Sequence, residues 1–133
     1  MKKDISQPIV KDVYIAVIAK EYEAGEYEWI AHIVNNGSEK LEGVLISTRG
    51  YGEIKGEHKK TATFRHSLDE IEPKSFKKIE TLPDELFALS NEFWVSFYIN
   101  KKMFDKKYIF LTESISIFNA INVPLINEVG VMI

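Results

Sequence analysis

The chain has no cysteine, so disulfides, thiolate metal sites and thiol nucleophiles are all excluded. It also lacks an excess of charge of one sign. The 20 acidic and 17 basic residues leave a formal net charge of −3, scattered along the chain, so no long-range positive field gathers nucleic acid or an anionic membrane. General nucleic-acid binding is disfavoured, although a local basic patch is not. Long hydrophobic runs are missing too: VYIAVIA, residues 13 to 19, is too short to cross a bilayer. The opening MKKDISQPIV interrupts a charged start with Asp4 and Pro8 and has no clean small-residue cleavage site. Residues 1 to 9 therefore read as a flexible N-terminus and not as a signal peptide. A cytoplasmic protein without membrane contacts is expected.

Signatures of catalysis and of cofactor binding are also missing. Neither HExxH, G-x-S-x-G nor GK[ST] occurs, and no pair among the 20 acids stands out as a glycosidase dyad. Ser47, Ser75 and Ser96 sit in strand patterns as ordinary sheet residues. The acid-rich EYEAGEYE, residues 21 to 28, lacks the alternating Asp order of a calcium loop. No metal and no cofactor are expected, and the protein reads as non-enzymatic.

What is present is a globular composition, 45% apolar and 12% aromatic over 133 residues, enough to bury roughly two-thirds of the unfolded surface in one core. A single domain, 1–133, is expected. Val13, Ile15, Val17 and Ala19 alternate with Tyr14, Ala16, Ile18 and Lys20, apolar on both faces, which marks a central strand. EYEAGEYE supplies a hairpin turn into a second alternating run, Tyr27 to Val34. Asn35, Asn36 and Gly37 form a turn tolerant of positive φ, before Leu41, Val44 and Ile46 resume an extended pattern. Residues 58 to 68 place Ala62, Phe64, His66 and Leu68 on one face. IEPKSFKKIETL reads as a proline-initiated strand, and NEFWVSFYIN and MFDKKYIFL as two aromatic strands joined at Asn100, Lys101 and Lys102. Only PDELFAL, residues 83 to 89, has the proline and acids of a short helical turn. About seven short strands with so little helix indicate an all-β, antiparallel two-sheet sandwich.

The stretch ISTRGYGEIKGEHKK contains Gly50, Gly52 and Gly56, off the dinucleotide spacing and followed by a strand pattern instead of a helix. It turns a corner and cradles no phosphate, with Tyr51 exposed at its tip. His66 has Asp69 and Glu70 nearby in sequence, the one grouping that hints at acid–base chemistry. Its strand face, shared with Phe64 and Leu68, favours a half-buried, hydrogen-bonded histidine.

Three surfaces carry the binding expectation: Tyr51 with its glycine loop, the 100–108 hairpin and the C-terminal tail. In NKKMFDKKY, residues 100 to 108, Lys101, Lys102, Lys106 and Lys107 interleave with Phe104 and Tyr108, a mixture able to stack bases and neutralise phosphates. As a plain hairpin, the same lysines discourage edge-to-edge pairing. The C-terminal tail, residues 112 to 133, is apolar without a clean period and presents Leu125, Ile126, Val129, Val131, Met132 and Ile133. Left in water it would be a liability, so it packs on its own sandwich or against a second copy in a homodimer.

From NNGSEKLEGVLIS to LDEIEPKSFKKIE the order of elements resembles the immunoglobulin-like and fibronectin-like sandwiches. Val44 and Ile46 match the strand after an Asn-Gly-Ser turn, and Leu68, Ile71, Pro73, Ser75 and Ile79 match a phrase that crosses between sheets. That resemblance implies a fold and no activity. Through RGYGEIKG, NEFWVSFYIN and KMFDKKYIF the whole chain also resembles a set of small uncharacterised bacterial proteins, some labelled phenylalanyl-tRNA synthetase alpha subunit. A class II synthetase core needs several times this length and an arginine-bearing ATP site, and no motif here matches it. The functional expectation is an interaction or assembly module with a protein partner, with RNA or tRNA association through the 100–108 hairpin as the alternative.

Overall fold

Alternation carries β1 (Val13–Glu23) through the middle of one sheet, and the reason both its faces are apolar is that both are covered. The computed structural model describes residues 8–133; residues 1–7 of the expected flexible N-terminus lie outside the described residues. β1 pairs antiparallel with β2 (Glu26–Asn35) across a turn at Ala24 and Gly25. Gly25 has φ 78° there, and the Glu21 carboxylate accepts its N–H at 3.1 Å. β2 pairs in turn with β6 (Ser75–Leu82).

The second sheet is built on β3 (Leu41–Ile54), a 14-residue strand. Along one edge it pairs first with β5 (Phe64–Ile71) and then, past Gly50, with β4 (Glu57–Lys60). On the other edge it pairs with β7 (Ser90–Ile99), which pairs with β8 (Lys102–Phe110). Two hairpins close with two-residue loops, Lys55-Gly56 (φ 53° and 78°) and Asn100-Lys101 (φ 49° and 68°). Positive φ at both positions defines the type I′ turn, whose twist matches that of the flanking strands.

The expected strand over 58 to 68 is in fact two. Residues 61 to 63 leave the ladder, where the Thr61 hydroxyl accepts from Gly50 N at 2.8 Å and donates to Ala62 O at 2.7 Å. β5 then crosses to β6 in the first sheet, at the Leu68 to Ile79 phrase expected to change sheets. The expected short helix is a 3-10 turn, Asp84–Ala88, whose Phe87 meets Trp29 edge-on at 5.8 Å. A second 3-10 turn, Ile117–Asn119, had no sequence signal.

The tail packs on its own sandwich. β9 (Ile121–Val123) and β10 (Glu128–Met132) extend the first sheet beyond β1, giving the order β6-β2-β1-β10-β9 and, among the described residues, ten strands where about seven were expected. Gly130 passes so close to β1 that a Cβ there would collide with the Val17 carbonyl and lie 3.0 Å from Ile18 Cα. Val123 and Ile126 fold over the outer face of the first sheet, burying Ala16, Ile18 and Val34. The main core lies between the sheets, where Ile15, Val17, Ala31 and Ile33 meet Val44, Ile46, Phe93, Val95 and Phe97. Each such large side chain contributes about 1.5–3 kcal/mol on leaving water. Among the described residues no helix is long and apolar enough to cross a membrane.

Candidate functional site

The outer face of the second sheet should be polar if it simply faced water, and it is not. Val44, Ile46 and Thr48 of β3 point into the core, so Leu45, Ser47 and Arg49 point out. In β7 the buried Phe93, Val95 and Phe97 leave Trp94, Ser96 and Tyr98 outside, and in β8 Met103, Asp105, Lys107 and Ile109 share that outward row. Register aligns Ser47, Trp94 and Lys107 across three strands, and beside them Leu45, Ser96 and Asp105. Leu45 is 55% exposed, Trp94 46%, Tyr98 44% and Met103 50%. Between them the small serines leave a shallow groove of about 420 Å³. The Lys107 ammonium lies 4.4 Å from the Trp94 ring centroid, a cation–π geometry worth about 0.5–1 kcal/mol at an exposed site.

Arg49 closes one end of this face. Its guanidinium holds the Glu92 carboxylate at 3.1 and 3.4 Å, and the Tyr51 hydroxyl donates to the same carboxylate at 3.3 Å. Burial, and then the Glu92 charge, pushes the Tyr51 hydroxyl above the usual tyrosine range. Tyr51 is therefore not the exposed tip of a glycine loop. It sits half-buried within β3, because Gly50 and Gly52 lie in the strand and the turn falls later, at Lys55 and Gly56.

Glu92, held by Arg49, aligns in the same cross-strand row with Ile109, and there the surface continues around β8. Ile109 and Leu111 are exposed, as is Phe118, and Ile109, Leu111, Ile121 and Ile133 share the rim of an apolar cleft of about 340 Å³. Of the tail residues expected to contact a second copy, Ile126 and Val131 are buried in the chain's own fold, Leu125 and Met132 are half-buried, and Val129 and Ile133 stay exposed.

The 100–108 hairpin is present, but its two aromatic side chains do not face solvent as base stacking requires. Tyr108 is 2% exposed and donates to Val13 O at 2.7 Å; burial pushes its hydroxyl far above the usual range. Phe104 is half-buried and stacks on Phe97 with centroids 5.6 Å apart. Lys102 and Lys106 cap those rings at 5.7 and 4.8 Å, and Lys101 lies in the turn, so Lys107 alone of the four lysines sits over an exposed aromatic. Sequence reasoning missed Trp94, Tyr98 and Leu45. In NEFWVSFYIN both alternating sets are aromatic, so periodicity finds the strand without saying which set faces out.

His66 does not gather Asp69 and Glu70. Asp69 lies in an irregular stretch of β5 at φ 59°, and Glu70 pairs with Lys40 at 3.0 Å. The His66 Nε2 instead meets Glu80 Oε1 of β6 at 2.6 Å, an oxygen that also accepts the Thr48 hydroxyl at 2.9 Å. No grouping of three or more His, Asp or Glu able to hold a metal occurs among the described residues.

No protein-family model, no curated protein and no solved structure matches the chain.

Proposed function

We propose that the protein is a non-enzymatic, immunoglobulin-like interaction module of the cytoplasm that holds an acidic protein segment against the β7–β8 side of its second sheet. One observation carries this reading: Trp94, Tyr98, Met103, Ile109 and Leu111 are all exposed on two adjacent strands and the residue that follows them. Aromatic residues and methionine are the types enriched at protein interfaces, and a grouped apolar patch is rare on a surface that meets only water. Lys107, over Trp94, and Arg65, at the rim of the groove, set two cations beside Asp105 on this face, so electrostatic complementarity selects an acidic partner and speeds its arrival.

RNA association is the second reading, favoured by Lys107 over the exposed Trp94 ring. A single strand stacked there would lose affinity with salt at a logarithmic slope of roughly −0.7 per phosphate contact.

Native mass spectrometry of the untagged protein, purified from its own host at low salt, tests both. A protein that stays with the wild type and leaves Trp94→Ala and Met103→Glu supports the interaction module. Bound RNA with the stated salt slope transfers the surface to the second reading. A dimer broken by Met103→Glu makes the partner a second copy. A bare monomer at every salt concentration refutes the proposal.

A further inference from the structure

On the opposite side from β8 the sandwich opens where β5 leaves β6, and the gap is a cavity of about 380 Å³. That volume lies at the small end of the range for ligand sites, roughly 300–1,000 Å³. Its interior is apolar: Phe93 and Leu82 are 1% and 3% exposed, Leu86 of the 3-10 turn and Pro83 just before it form one wall, and Phe64 stands at the rim at 58% exposure.

The polar groups in it are unequal in kind. Thr48 and His66 both direct their hydrogen bonds to Glu80 Oε1, and no donor of the described residues reaches Glu80 Oε2. Asn91, 4% exposed, gives its amide hydrogens to Leu86 O and Leu89 O at 2.9 and 3.2 Å. Its Oδ1 accepts nothing from the described residues. The Thr61 hydroxyl is engaged on both sides, and Arg49 is turned to Glu92 on the outer face. The cavity thus offers apolar walls and two acceptors, one of them a carboxylate with only 20% of its side chain exposed. A buried carboxylate with an open oxygen is best satisfied by a cationic donor.

We propose that this cavity binds a small apolar primary ammonium, with its aryl or alkyl body on Phe64, Leu86 and Phe93 and its N–H groups on Glu80 Oε2 and Asn91 Oδ1. An anionic analogue of the same shape meets the carboxylate and is rejected. The site is separate from the β7–β8 surface, and its test is independent of that reading.

The experiment is a ¹H–¹⁵N titration of the full chain with phenethylammonium, 2-phenylethanol and phenylacetate, three probes of one shape and different charge. The expected result is saturable shifts at Phe64, His66, Leu86 and Asn91 with the ammonium at millimolar Kd, about ten-fold weaker binding of the alcohol, and none of phenylacetate. Glu80→Gln, which keeps the acceptor for Thr48, weakens the ammonium about ten-fold; Phe64→Ala, at the exposed rim, weakens it several-fold without disturbing the fold. Tenfold corresponds to about 1.4 kcal/mol. No saturable shift up to about 10 mM ammonium, where even a weak Kd would show, overturns the proposal. Equal binding of phenylacetate, or ammonium binding unchanged in Phe64→Ala, does so as well.

Discussion

Asn35 joins three parts of the chain, and replacing it tests whether one carboxamide fixes the crossover between the sheets. It is 1% exposed at the end of β2. Its Nδ2 donates to Glu39 O, Ile71 O and Glu72 O at 2.8, 3.2 and 3.1 Å, and its Oδ1 accepts from Gly37 N at 3.1 Å. Two N–H bonds are shared among three carbonyls, and two of those carbonyls belong to the segment that carries the chain from β5 to β6. In Asn35→Ala the Ile71 carbonyl is left buried without its donor, which costs about 1–3 kcal/mol, while the partly exposed groups recover water at a few tenths each. The total is about 2–4 kcal/mol. At about 2.1 cal/mol/K of unfolding entropy per residue over 133 residues, that lowers Tm by roughly 7–14 °C. Urea unfolding should show a lower midpoint with an unchanged m value. Asn35→Asp sharpens the test: it keeps the acceptor for Gly37 but turns an oxygen toward three carbonyl oxygens, so it should cost at least as much as alanine. An alanine variant within about 0.5 kcal/mol of wild type, or an aspartate variant as stable as the parent, would refute the reasoning.

Gly130→Ala places a methyl against the β1 backbone, where nothing flexible can yield. It should destabilise by about 3 kcal/mol or more, or release β10 and expose Ile18 to a hydrophobic dye; a wild-type unfolding curve would contradict the close approach. Tyr108→Phe removes the 2.7 Å bond to Val13 O and should cost about 1–2 kcal/mol in urea unfolding. His32 is held below the usual histidine range by burial, and by Lys20 and Lys78, against the Ile30 carbonyl and Glu128, which raise it. With its folded value below the unfolded value of about 6.5, its contribution is fully present above that pH and is lost as pH falls below it. Between pH 7 and 5 the wild type should therefore lose more stability than His32→Gln, and parallel curves for the two proteins would count against it.

The strands were legible because burying one face of a sheet imposes a period of two that composition writes directly. β1 and β2 were read from alternation, β7 and β8 from their aromatic content, and the hairpin between them from its lysine-bearing turn at Asn100, Lys101 and Lys102. The Asn35-Asn36-Gly37 turn was found for the wrong reason. None of the three has positive φ; the Asn35 side chain builds the turn by accepting from Gly37 N. β9 and β10 were invisible as strands because the tail has no period, and they exist because Ala16, Ile18 and Val34 need a cover.

For the candidate sites the division follows the range of the forces. The sequence by itself determined an all-β chain, a hairpin bearing lysines and a tail unable to stay in water, since these depend on neighbours one or two residues apart. Only the tertiary structure decided that Trp94 faces out while Tyr108 faces in, that His66 meets Glu80 and not Asp69, and that a cavity opens between β5 and β6. Each of those turns on which sheet lies across from a side chain, and that partner is set by packing between segments far apart in the chain, which no local pattern encodes.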